Sequence, residues 1–413
     1  MKRNICYVYQ DQFPWEIRVE KISRSLAEKG ITVHIISRNR DGIPVLEPYQ
    51  GNIYIHRLSK GFNSIIRKFI NFPAFFSPFW LKVIISTVKE TGSELIIVRD
   101  LPLSITAWIA GKVTKRPVLL DMAENYPAMI RDTWRFRGPK LFDYLIRNPY
   151  LLSLMEKYIV PKMDGVLVVS APSAKRLSMM GMPEDRIFIV GNTPALWPGD
   201  PLDDKKEELT RALREKSNFI LIYTGGMEES RGLEVLIRAI PRVAREEPGV
   251  LVVLVGKGTS ENKLQQVARE LGVEKHIVWM GWQNHNTIPS LLEAADIGVI
   301  PHYVTDHTDT TIPNKIFDYM LQKKPVIATH SKTLSEIINS SGCGLIYKDD
   351  SPAELAEAII TLRSRELREK LGVSGFNAVL DRYNWKNDES RLLSAVNLFS
   401  KSETPSKNKI GRH

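Results

Sequence analysis

Cysteine is almost missing from this 413-residue chain, with Cys6 and Cys343 the only two. Two cysteines cannot build a disulfide framework or a cysteine-based zinc site, and their scarcity fits a reducing compartment, so the cytoplasm is the expected location. Long apolar runs are missing too. Nothing approaches the roughly 18 uninterrupted apolar residues of a membrane span, and the nearest stretch, residues 62–86, is broken by Arg67, Lys68, Pro73, Pro78 and Lys82. The basic start, Met1 to Asn4, leads into an apolar run at Ile5–Tyr9 that is too short for a signal peptide and reads as a first strand. No fixed-period repeat, low-complexity tract, Asp-x-Asp sequence or clustered His/carboxylate set occurs, so no metal site is expected.

The residues present are those of a globular protein of two to three domains: 43% hydrophobic, 25% charged and 8% aromatic. Disorder and collagen-like structure are excluded. The net charge of +10 is unevenly held, with 28 Lys+Arg against 18 Asp+Glu in residues 1–200 and 29 against 29 in residues 201–413. One half therefore faces something anionic: nucleic acid, a membrane surface or a phosphorylated substrate. Nucleic acid finds no further support, because zinc-finger spacing, RNA-binding aromatic motifs and dense Lys/Arg blocks are lacking. Residues 62–86 and 131–140 mix aromatics with cations, which suits a peripheral position on an anionic membrane surface at the inner face of the cell membrane.

Short β-branched runs alternate with helical patterns through residues 1–195 and again through residues 217–380. Such alternation implies parallel βαβ units, hence an α/β fold of two Rossmann-like, doubly wound domains facing a cleft. Pro194, Pro198 and Pro201 precede a charged run ending at Lys216, and residues 196–216 read as a linker with a short surface helix. Residues 381–400 read as a C-terminal helix returning to the first domain, and residues 401–413 as a polar, disordered tail. Ligands of such folds bind beyond the carboxyl ends of the strands.

Two clusters stand there. The run Phe219–Tyr223 leads into Thr224-Gly225-Gly226 and on to Arg231-Gly232 before an amphipathic pattern. Glycines let a backbone approach a ligand, a helix start offers N–H groups to an anion, and Arg231 adds a fork-shaped cation. Gly256-Lys257-Gly258 forms a second turn. Further on, Thr310-Thr311-Ile312-Pro313-Asn314-Lys315 opens a helix in whose first turn Pro313 is expected, with Lys315 and Asp318 on one face. Spacing alone favours a surface ion pair for Lys315 and Asp318.

Taken in order, these segments resemble the nucleotide-sugar-dependent glycosyltransferases of family 4, which have the GT-B fold. The resemblance spans about residues 3–400. It rests on Phe13–Ile22, Asp121–Pro127 as a loop of the Asp-x-His-Glu type, Val190–Pro194, the Gly225–Gly232 turn, Leu254–Gly258, Met280-Gly281-Trp282 and the Pro313–Met320 helix start. Of three departures, the first two resemble traits of a subgroup with a Pro-Asn-Lys helix start, and the third, at Ala123, removes a group that the resemblance places against the donor sugar. Thr310 stands at the first acid of the Glu-x7-Glu motif, with Asp318 at the second. Gly226 and Arg231 stand at a frequent Arg and Lys, and Ala123 at the His of the first-domain loop.

The resemblance implies transfer of a sugar, with retention, from a UDP- or GDP-sugar to an acceptor hydroxyl, without a tightly bound cofactor or metal. The acceptor would be a saccharide or lipid-linked, as in cell-surface polysaccharide, lipid-linked oligosaccharide or glycolipid synthesis. Arg231 and Lys315 would hold the diphosphate, with Gly225, Gly226, Gly256, Pro313 and Asn314 lining it. Asp318 would hold the ribose, and Gly281 and Trp282 the base. Thr310 and Thr311 would lie by the sugar, and Glu124 across the cleft would touch the reacting sugar or acceptor. A nucleotide-sugar-binding subunit without catalysis and an epimerase of the same architecture are the alternatives.

Overall fold

Near-continuous Val, Ile and Leu runs form the strands, as in parallel sheets buried on both faces. The computed structural model describes residues 3–14, 16–39, 44–58, 75–141, 143–195 and 206–400. The first sheet comprises β1 (Asn4–Val8), β2 (Thr32–Ser37), β3 (Leu46–Pro48), β4 (Ile53–Arg57), β5 (Leu95–Arg99), β6 (Val118–Met122), β7 (Gly165–Val168) and β8 (Ile187–Ile189). Its order is β3-β4-β2-β1-β5-β6-β7-β8, parallel except for β3 against β4. The second sheet comprises β9 (Phe219–Thr224), β10 (Val250–Val255), β11 (Ile277–Gly281), β12 (Ile297–Ile300), β13 (Val326–Thr329) and β14 (Gly344–Tyr347). Its order is β11-β10-β9-β12-β13-β14, parallel throughout. Strand order reverses at β1/β5 and at β9/β12, and each reversal splays the following loops apart into a crevice.

Helices cover both faces of each sheet, giving four apolar clusters, two per domain. Helix starts follow capping chemistry. Asn125 accepts from the Ala128 N–H at the head of Tyr126–Arg137, and Asn148 accepts from Tyr150 and Leu151 at the head of Pro149–Ile159. The second part of the expected linker belongs to the second domain. Helix Lys206–Arg214 buries Leu213 in its core, pairs Arg214 with Asp296, and donates from Thr210 to the Ser290 carbonyl.

Helix Trp385–Ser400 lies on the first sheet. Trp385 Nε1 donates to Ser25 Oγ at 2.7 Å, Lys21 Nζ stands 4.8 Å from the Trp385 ring centre, and Leu392, Ala395 and Val396 join the cluster of Ile5, Tyr7 and Ile97. The chain thus passes between the domains twice. No helix among the described residues is long and apolar enough to cross a membrane.

Candidate active site

The second-domain crevice opens where β9 and β12 diverge. Gly225 follows β9 with φ +124°, and Gly256 follows β10 with φ +133°. A Cβ at Gly256 would stand 2.0 Å from the Gly225 carbonyl oxygen, so only glycine allows the two turns to stack. The Gly225 N–H donates to the Val255 carbonyl and the Gly256 N–H to the Gly281 carbonyl, tying three strand ends into one floor. Gly226 lies open on it, its carbonyl accepting from Tyr223 Oη at 2.6 Å.

Two cations converge above this floor on a histidine that sequence reasoning missed. Arg231, closing the turn Glu229–Arg231, places Nη1 3.4 Å from His302 Nδ1, and Lys315 places Nζ 3.4 Å from His302 Nε2. Lys315 Nζ also stands 3.7 Å from the centre of the Tyr223 ring. His302 is only 2% exposed. Burial, then the charges of Lys315, Arg231 and His307, push its imidazole well below the usual range. Burial and then Arg231 likewise push the Lys315 ammonium far down, with Asp318 opposing. Burial is the larger cause of both depressions and repulsion among the clustered cations the second, so two cationic side chains share one dry crevice, a setting that suits an anion. His302 follows β12 by two residues; its position at a strand's carboxyl end was the available signal.

The Lys315–Asp318 pair is therefore no surface ion pair, since Lys315 points into the crevice. Pro313 is displaced from expectation. The helix runs Lys315–Leu321 with Asn314 at its cap, so Pro313 precedes the first turn and contributes its carbonyl to the Ile316 N–H. Asn314 Oδ1 accepts from Asn192 Nδ2 of the first domain at 3.0 Å. The Thr310 and Thr311 hydroxyls both donate to backbone carbonyls, at Asp306 and His307 and at His307 respectively, and both residues are buried. Their donor capacity is directed into the loop. Trp282 is 69% exposed beside Gly281, presenting an open aromatic face at the mouth.

The first domain closes on this loop. Glu124 Oε2 lies 2.7 Å from His307 Nε2, Asp132 accepts from Thr305 Oγ1 at 2.7 Å, and Ser170 Oγ donates to the Thr310 carbonyl at 2.6 Å. Burial opposes ionisation of Glu124, but His307, Arg99 and Arg231 together hold its carboxyl below the usual range. Arg231 and Glu124 thus share one cleft. Behind Glu124, Ala123 donates its N–H to Asp100 Oδ1 at 3.2 Å. Asp100 follows β5 with φ +57°, a sparsely populated conformation for a non-glycine residue, and burial pushes its carboxyl up to about 7. Asp121 is no loop residue. It sits on β6, fully buried, accepting from Arg18 Nε and Nη2 at 2.8 and 2.7 Å and from Tyr7 Oη at 2.6 Å.

The expected lipid contact at residues 131–140 is corrected by this closure. Arg131 pairs with Asp306, Arg137 with Glu228, and the Phe136 ring stacks on Tyr303, so these side chains face the second domain. Of residues 62–86, positions 62–74 lie outside the described residues. No group of three or more His, Cys, Asp or Glu side chains suited to a metal ion occurs among the described residues.

Two doubly wound domains that face each other across a cleft define a GT-B protein, here with a cation cluster at the second switch point. Two family models match the chain, Glycosyltransferase Family 4 over residues 16–193 and Glycosyl transferases group 1 over residues 218–365. The chain belongs to the family 4 glycosyltransferases.

It is 24% identical over 222 residues to an uncharacterized glycosyltransferase of Methanocaldococcus jannaschii, covering 51% of this chain and 53% of that one. It is 23% identical to the D-inositol 3-phosphate glycosyltransferase of Nocardia farcinica, covering 92% and 83%. The first two curated relatives are matched over 53% and 62% of their own length. Among solved structures, Anabaena HepE in complex with UDP-glucose superposes with a TM-score of 0.69 at 14% identity, covering 96% of this chain and 99% of that one.

Proposed function

We propose that the protein is a retaining glycosyltransferase that moves a sugar from a UDP- or GDP-sugar to an acceptor hydroxyl in surface polysaccharide, lipid-linked oligosaccharide or glycolipid assembly. The observation that carries this reading is the pairing of Arg231 and Lys315 around neutral His302 on the glycine floor. Breaking the bond between the anomeric carbon and the diphosphate oxygen builds negative charge on the leaving group and positive charge on the sugar. Side chains already fixed in a partly dry crevice, Arg231 charged and Lys315 protonated as the anion arrives, stabilise that charge with little reorganisation.

Lys315 and Arg231 receive the diphosphate, while His302, kept neutral, holds the two cations apart. Asp318 accepts from the ribose hydroxyls, and the base stacks at Gly281 and Trp282. A structural neighbour solved with UDP-glucose supports the uracil nucleotide as the first donor to try. The acceptor oxygen attacks on the face the diphosphate leaves, and its proton passes to the departing phosphate oxygen, so no side-chain base is assigned. Glu124 and Asp100 stand on the acceptor side of the cleft, where Glu124 orients the acceptor.

The test is hydrolysis of, or transfer from, a nucleotide sugar by the purified protein. Arg231→Ala and Lys315→Ala should each lower kcat by about 10²–10³. Turnover that survives both substitutions overturns the phosphate clamp. Nucleotide binding without turnover on any acceptor assigns a binding subunit instead, and release of an epimerised sugar assigns an epimerase.

A further inference from the structure

Helix Pro149–Ile159 is apolar on two opposite faces. Leu152 and Ile159 face the first domain's interior, where Glu156 is buried against Arg176 at 2.7 and 3.0 Å. On the opposite side Tyr150, Leu151, Leu154 and Tyr158 fall within about 100° of arc at helical spacing, and all four are exposed, Tyr150 at 76% and Leu154 at 66%. Leu141, 83% exposed, and Tyr144 extend this apolar surface just before the helix. An outward apolar stripe of this kind marks a contact surface.

Its charge selects the partner. Lys140, Arg147, Lys157 and Lys162 are exposed around it, and Lys162 Nζ lies 4.5 Å from the Tyr158 ring centre. The acids of residues 140–162 are Asp143, which accepts from the Lys140 N–H, and the buried, Arg-paired Glu156. Leucines flanked by tyrosines and ringed by cations match the layers of a bilayer surface: acyl chains, interface and anionic head groups. Two copies of this face would instead bring like charges together.

We propose that the outward face of helix Pro149–Ile159, with Leu141 and Tyr144, docks on an anionic lipid bilayer. This deepens the reading of a lipid-linked acceptor. The helix packs on Tyr126–Arg137, whose Arg131, Asp132 and Phe136 meet the second domain across the cleft. Two packed helices, this one and Tyr126–Arg137, together about 20 Å thick, separate the docking face from the cleft, a distance that an acceptor anchored in that bilayer has to span.

The experiment is flotation of the full-length protein with vesicles of equimolar phosphatidylglycerol and phosphatidylcholine, and with phosphatidylcholine alone. The protein should float with the anionic vesicles and be released by salt. Leu151→Ser/Leu154→Ser and Arg147→Glu/Lys157→Glu should each lower partitioning at least tenfold while leaving the melting temperature unchanged. Wild-type protein that does not float, or variants that float equally well, overturn the proposal. A concentration-dependent dimer lost in Leu151→Ser/Leu154→Ser overturns it in favour of a second copy. Flotation needs no donor sugar, so its result is independent of whether the protein transfers one.

Discussion

Burial first, and neighbouring cations second, oppose protonation of Lys315 and His302, and this sets how the site answers to an anion. Both groups therefore lie below their ordinary values. A diphosphate beside them favours the charged forms and draws both values back up, so binding takes up protons and strengthens as pH falls below the ordinary lysine value. Calorimetry of UDP binding at neutral to mildly alkaline pH, in buffers of different ionisation enthalpy, should show net proton uptake that disappears in Lys315→Met. Heat that does not depend on the buffer would contradict this. The convergence of Arg231 and Lys315 on one crevice was legible because a glycine turn and a helix start both follow strand ends. His302 was not, since its role arises only when two distant segments meet over it. Thr310 was read as a sugar contact, but hydroxyl direction depends on the loop's carbonyls, which spacing does not reveal.

At the level of turns and strands, the floor of the crevice depends on backbone contact more than on side chains. Gly256→Ala places a methyl group against the Gly225 carbonyl at a positive φ, whereas Gly226→Ala meets nothing closer than 4.0 Å. Gly256→Ala should therefore destabilise by about 1–3 kcal/mol and lose nucleotide binding, while Gly226→Ala keeps its melting temperature. Equal melting temperatures for the two variants would refute the stacked-turn account. The strands were legible because runs buried on both faces are uniformly apolar. Boundaries were less so: the helix after Pro313 begins at Lys315, and the short helix expected within residues 196–216 runs 206–214 and packs into the second domain. Helix Pro149–Ile159 was passed over for a related reason, since leucines and tyrosines read as core until the fold shows which of them face outward.

Across the whole molecule, the charge surplus of the first half is partly spent on closure. Arg131 and Arg137 meet Asp306 and Glu228, and Glu124 meets His307, so the domains are held together by contacts that the second half's acids complete. The two-domain plan was legible from the repeated alternation of strands and helices. The distribution of cations between cleft and outer surface was not, because it depends on which faces the domains turn to each other. The first domain also relies on the chain's far end. Ending the chain at Asn384 removes Trp385, Leu392, Ala395 and Val396 from its core. At about 2–5 kcal/mol for each large side chain, the loss approaches a whole domain's stability of about 5–15 kcal/mol. Such a chain should keep the second domain's melting transition and lose the first; calorimetry showing both intact would refute this. During synthesis the same arrangement reverses the usual order of folding. The helix that closes the first sheet leaves the ribosome ~200 residues after β8, which at about 5–20 residues per second is a delay of about 10–40 s. Through that interval the second domain can complete its core while the first waits with part of one face uncovered beside helix Ile17–Glu28, which makes the nascent first domain a natural client for chaperones.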